Sequence, residues 1–171
     1  MYIVKNFNFT GYDAWWDDIM PQIESMISPY GSTEAVDEFI NGLAEAVCNA
    51  TMYNPDGIDG AKVYLYVIIT DSSIKVTVRA KTRSFDTIKF RLKLKQLALE
   101  GGADMDWQQY VGLTQKGRGL WLMLSTFDAV CLEQDGNEIT LTSRLPLRTA
   151  EVDSIGKIVH KLFISKNGVI T

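Results

Sequence analysis

Leu43-Ala44-Glu45-Ala46-Val47-Cys48-Asn49-Ala50 lies inside a longer run in which apolar residues recur at steps of three and four: Val36, Phe39 or Ile40, Leu43, Val47 and Ala50. That is the period of a helix with one buried face. Ser32 or Thr33 can cap it, Glu34, Asp37 and Glu38 suit its positive end, and it should run to about Tyr53. Glu45 and Asn49, four apart, project from one face a turn apart, and Asn41 extends the row. The row borders the apolar stripe, at the edge where the helix meets whatever it packs on. Ordinary amphipathic helices carry such polar rows too, so spacing alone leaves a structural and a functional reading open.

Outward from this helix the pattern changes on both sides. Upstream, Tyr2, Val4 or Ile3, Phe7 and Phe9 suggest a strand, broken at Thr10-Gly11-Tyr12-Asp13. Asp13 is then a plausible N-cap for a helix to about Ser28, with Trp16, Ile19, Ile23, Met26 and Ile27 inward and Pro21 predicting a kink or a late start. Trp15 and Trp16 cannot both face inward; Trp16 fits the core stripe, and an exposed tryptophan would mark a protein interface. Downstream of Asn54-Pro55-Asp56-Gly57 the period becomes two. Val63, Leu65, Val67 and Ile69 form a strand that turns at Asp71-Ser72-Ser73 into residues 74–79. A second hairpin is expected around Asp135-Gly136-Asn137, joining 129–134 to 138–145. Val152, Ile155, Val159 and Leu162 stand at helical spacing and predict a helical tail. The order strand, helix, helix, hairpin, helix, hairpin predicts an α+β fold: a two-layer α/β sandwich, a mixed sheet with helices on one face.

Composition bounds what such a chain does. It has 171 residues, 46% hydrophobic and 22% charged, which suits one soluble domain burying roughly 70% of its unfolded surface. A net charge of −4 argues against non-specific nucleic-acid binding. No apolar run approaches the ~20 residues of a spanning helix, and residues 1–7 do not read as a signal peptide. Cys48 and Cys131 lack metal-like spacing and read as reduced thiols in a cytoplasmic protein. A single histidine, His160, disfavours a histidine-based triad or a zinc site.

A second motif stands about seventy residues after the first. Gly117-Arg118-Gly119 precedes Leu120-Trp121-Leu122-Met123 and then Phe127-Asp128-Ala129-Val130. Glycine lets backbone approach an anion, and the free N–H groups of a helix start bind phosphate oxygens. The two motifs, in this order, resemble the two ends of the nucleotide site in the GHKL (Bergerat-fold) ATPase superfamily, and within it the bacterial anti-sigma factor serine/threonine kinases. The resemblance covers residues 1–146, a histidine-kinase-like ATPase domain, with 147–171 a helical extension of the same domain. It implies ATP and Mg²⁺ as cofactors and phosphoryl transfer to a serine or threonine. Glu45 would be the catalytic base and Asn49 the magnesium ligand, while Gly117, Arg118, Gly119 and Leu120 would form the phosphate cradle. It further implies a sigma factor or a STAS-type antagonist as protein partner, self-association as a homodimer, and a role in transcription regulation in a bacterial cytoplasm, with no nucleic acid or membrane as partner.

The sequence departs from that family between the two motifs. Its first glycine box places an aspartate at a strand end, then two alternating glycines and often Phe-Asp. If Phe85-Asp86 sets the register, Ala80 occupies the adenine-binding aspartate's position and Thr82 and Ser84 replace the glycines. Losing one charged hydrogen bond costs about 1.5–3 kcal/mol, about ten- to a hundredfold in affinity. This favours weak or absent adenine binding, and with it the alternative of a non-catalytic protein-binding module. Lys81, Arg83, Lys89, Arg91, Lys93 and Lys95 fall where the nucleotide lid should be; they read either as a solvated face or as partners for phosphate or another anionic ligand.

Overall fold

The computed structural model describes residues 2–83, 86–100, 118–151 and 154–171. Its spine is a seven-stranded sheet in the order β1-β2-β3-β5-β4-β6-β7, formed by β1 (Ile3–Thr10), β2 (Lys62–Ile69), β3 (Ser73–Ala80), β4 (Ala129–Glu133), β5 (Glu138–Arg144), β6 (Leu162–Lys166) and β7 (Val169–Ile170). Neighbours are antiparallel except β4 and β6, which run parallel with Val130 opposite Leu162. The sheet is therefore mixed, as the element order predicts. Period-two alternation sets its two faces. Leu65, Val67, Ile74, Val76, Val78 and Leu141 point into the core, while Tyr64 and Tyr66 stay partly exposed on the other side.

The helices cover the inner face. α3 (Thr33–Met52) is the central one. Ser32 caps it, its hydroxyl accepting from the Ala35 N–H at 3.3 Å. Its buried residues include Val36, Phe39, Leu43, Val47 and Ala50, the stripe read from the sequence, and extend to Gly42 and Ala46 because a neighbouring helix covers a second side. That neighbour is α5 (Arg118–Thr126). A Cβ on Gly42 would lie 2.7 Å from Cε2 of Phe127, and the Phe127 ring packs edge-on against Phe39 with centroids 5.0 Å apart.

The first helical segment departs from expectation. Gly11, with φ 81° and ψ 159°, precedes it, and no side chain caps it; Asp13 sits inside the first turn. Glycine is needed at position 11 twice over, since a Cβ there would stand 3.0 Å from the Asp59 carbonyl. The segment comprises α1 (Tyr12–Ala14), a π-helical turn (Trp15–Ile19) and α2 (Met20–Ile27). The π turn answers the expectation of a kink at Pro21: proline donates no N–H and crowds the carbonyl four residues back, and a widened turn absorbs both. Gln22 Nε2 donates to the Asp18 carbonyl at 2.7 Å, satisfying one loosened acceptor. The π turn also sets the phase. Trp15, not Trp16, is buried, in a row with Ile19, Ile23 and Ile27, while Trp16 is 41% exposed.

Two other stretches resolve differently from their patterns. Residues 87–100, with basic residues alternating from Lys89 to Lys95, form a helix, α4 (Thr87–Glu100). Its inward side is Thr87, Phe90, Leu94, Leu97 and Ala98, at steps of three and four. The tail is only briefly helical. α6 (Ile155–Ile158) continues as one 3₁₀ turn to Lys161, and from Leu162 the chain is strand, because Leu162 and Ile164 fill the open edge beside β4. The helical tail is thus corrected to a helical turn followed by two strands of the same sheet. Among the described residues no helix is long and apolar enough to cross a membrane.

Candidate functional site

α3 and α5 bring the two motifs together. A Cβ built on Gly119 would lie 2.5 Å from Oε2 of Glu45, so the start of α5 rests directly against the carboxylate. Only a residue without a side chain permits that approach while Glu45 holds its position. Glu45 is half-buried in this contact. Leu120 turns inward at 7% exposure and Arg118, the first residue of α5, is exposed. Gly117 lies outside the described residues, as do Ser84 and Phe85 of the first glycine box.

One turn beyond Glu45, Asn49 lines a partly open cavity of about 460 Å³ formed, among the described residues, by α3, α4, α5 and the sheet. Gly119 and Leu120 share the lining with it. The remaining wall is mostly apolar, with Val78, Leu94, Leu97, Met123 and Ile139; Arg83 and Lys93 supply positive charge. Lys93 thereby belongs to the cavity, whereas Lys81, Lys89 and Lys95 are exposed and do not line it.

The far end of the cavity is braced. Ala80 closes β3, buried at 4%, and its N–H donates to the Asn137 carbonyl at 3.0 Å. Thr82 donates its backbone N–H to Asn137 Oδ1 at 2.8 Å, and its hydroxyl reaches both Gly136 O and Asn137 Oδ1. The Asn137 amide nitrogen in turn donates to Asp135. Arg83 N–H donates to the Tyr53 carbonyl at 2.8 Å, tying the same segment to the end of α3. The side chains of Thr82, Asn137 and Asp135 are thus bonded to one another. Glu138 is the only acidic residue on the described lining, and it alternates with inward Ile139 and Leu141; its carboxylate meets Arg79 at 4.0 Å. At the end of β3 itself, buried Ala80 offers no carboxylate to a ligand, and Glu138 is the one described acceptor of that kind on the lining.

On the other side of Glu45 stands a cluster that the sequence motifs did not single out. Tyr12 sits against Cys48, and its ring meets Trp16 edge-on at 6.1 Å. Burial first, and then the charge of Glu45, push the Cys48 thiol up, while the Tyr12 hydroxyl draws it partly back. Tyr12 is raised by burial and by Cys48, with an opposing hydrogen bond from Trp16. The available signal was Cys48 lying three residues after Glu45, on the neighbouring face of one helix. Among the described residues no group of three or more His, Cys, Asp or Glu could hold a metal ion. The metal-holding group implied by the resemblance is the Asn49 amide oxygen, one hard oxygen ligand of the kind Mg²⁺ takes beside phosphate oxygens.

No protein-family model matches the chain, and no curated protein matches it.

Proposed function

We propose that the protein is a regulator of the anti-sigma serine/threonine kinase type, with a nucleotide site whose phosphate end is kept and whose base end is rebuilt. The observation that carries this reading is the contact of Gly119 with Glu45, one turn from Asn49 on the lining of the cavity. Two motifs some seventy residues apart meet there and bring together a carboxylate, an amide oxygen and a helix start, the kinds of group that phosphoryl transfer uses. Glu45 orients or deprotonates the accepting hydroxyl, Asn49 holds Mg²⁺, and the amides of 117–120 receive the phosphate oxygens. ATP supplies the phosphoryl group. The accepting protein is a STAS-type antagonist or a sigma factor, in a bacterial cytoplasm.

A second reading draws on the other end of the cavity. Ala80 in the core and the Thr82–Asn137 brace put no carboxylate at the end of β3, where the resemblance places the one that fixes an adenine amino group. This favours a module that keeps the fold and its surfaces but not ATP. Isothermal titration of Mg²⁺-ATP into the protein and into the Glu45→Ala, Asn49→Ala double variant separates the two. Magnesium-dependent heat lost in the double variant supports the kinase-type reading. No heat at millimolar ATP, in protein that melts cooperatively, overturns it and leaves the binding module.

A further inference from the structure

From Asn6 to Ala61 the chain has no Lys, Arg or His and ten Asp and Glu. This stretch makes β1, the first helical segment, α3 and the loop after it. From Lys62 to Glu100 the balance reverses, with nine Lys and Arg against three Asp and Glu. The negative net charge is therefore concentrated in the first third of the chain.

Large apolar side chains are exposed within the acidic part. Trp16 is 41% exposed, Met52 55% and Ile58 42%. They lie on neighbouring segments. The Ile58-Asp59 loop lies on Gly11, which leads into Tyr12; Tyr12 packs on Trp16 and against Cys48; and Met52 is one turn beyond Cys48 on α3. Exposed Asp13, Asp17, Asp56 and Asp59 adjoin them. The π turn is what presents Trp16: by placing Trp15 in the core, it leaves the next indole outside, beside two aspartates. Widened turns of this kind recur at functional positions. An aromatic and aliphatic centre with an acidic margin has the anatomy of a protein interface, and its charge selects the occupant. A nucleic acid is repelled, and a second copy presenting the same acidic patch is disfavoured.

We propose that the surface of Tyr12, Trp16, Met52 and Ile58, bordered by Asp13, Asp17, Asp56 and Asp59, docks a basic amphipathic segment of a protein partner. Apolar residues of the segment cover Trp16 and Met52, and its Lys or Arg side chains meet the aspartates. The surface lies outside the cavity and does not depend on nucleotide binding.

The probe is a four-turn amphipathic helical peptide of leucine and lysine, titrated calorimetrically into the full chain at low and at physiological salt. Its counterpart with glutamate for lysine is the control. The lysine peptide binds, more weakly as salt rises, and the glutamate peptide does not. Trp16→Ala, and separately Asp17→Lys with Asp59→Lys, weaken binding about tenfold or more. Glu100→Lys on α4, a single charge reversal away from the patch, stays within about twofold. Circular dichroism confirms that each variant is folded. Equal binding by the parent and both patch variants overturns the proposal, as does binding of the glutamate peptide. Sedimentation showing a dimer that Trp16→Ala dissolves would also overturn it, by assigning the surface to a second copy.

Discussion

Gly42 and Gly119 are both points where α3 and α5 come close, and they differ in what an added methyl would meet. At Gly42 it meets the Phe127 ring at 2.7 Å and the Thr126 methyl at 3.3 Å, and Phe127 is fully buried. Neither can withdraw, so overpacking of about 1–3 kcal/mol outweighs the gain of about 1 kcal/mol from replacing glycine in a helix. Gly42→Ala should lower the urea midpoint. At Gly119 the obstacle is the end of the Glu45 side chain, which can swing away. Gly119→Ala should leave stability within about 1 kcal/mol of the parent and act instead by displacing the carboxylate. Cys48 reports on that carboxylate. Burial contributes most to its raised thiol and Glu45 next, so Glu45→Gln should speed the reaction of Cys48 with a disulfide reagent at mildly alkaline pH. Unchanged reactivity would show that Glu45 does not act on the thiol.

At the scale of elements, the π turn divides adjacent tryptophans into different roles. Trp15→Ala should cost about 3–5 kcal/mol in chemical denaturation, because it empties a fully buried site beside Ile19 and Ile23. Trp16→Ala should cost less, about 0.5–1.5 kcal/mol, because the side chain is 41% exposed and gives up its edge contact with Tyr12. This pair also shows where the sequence stops being legible. Both hairpins could be read because period-two alternation flanks short polar turns, and α3 because Ser32, an acidic first turn and one stripe agree. The phase of the first helix could not be read, since a 3.6-residue template places Trp16 inward and only the widened turn moves Trp15 there. In α4, Lys89 to Lys95 alternate with apolar residues as a strand would, yet Phe90, Leu94 and Leu97 do the packing. In the tail, Val159 and Leu162 keep helical spacing by coincidence, because the free edge of β4 decides the conformation. Of the candidate site, the residue types were legible in both motifs. The contact of Gly119 with Glu45 and the brace from Thr82 to Asn137 were not, since each joins residues distant in sequence.

For the whole molecule, alkaline pH is the condition that weakens the fold. Tyr12, Cys48 and Cys131 are all raised, with burial the largest cause in each. The folded state thus holds their protons more tightly than the unfolded state does. Their stabilising effect is complete below the ordinary thiol value of 9.0 and is lost as pH rises through the elevated folded values. The thermal midpoint should be insensitive to these groups up to about pH 9 and fall above it; Cys131→Ala should flatten part of that fall. A midpoint independent of pH across that range would contradict the burial of these groups.

The sheet order carries a consequence for the chain as it is made. β1, β2 and β3 lie at one edge in the order in which they are synthesised, and β4 with β5 extends that sheet as a hairpin. β6, made after β4 and β5, is the parallel strand on the other flank of β4. A nascent chain can therefore assemble the sheet from its first edge outward, but β4 keeps a bare flank until residues 162–166 emerge. For that interval an apolar strand edge is open to other chains. The newborn protein, rather than the finished one, is the form most in need of a chaperone.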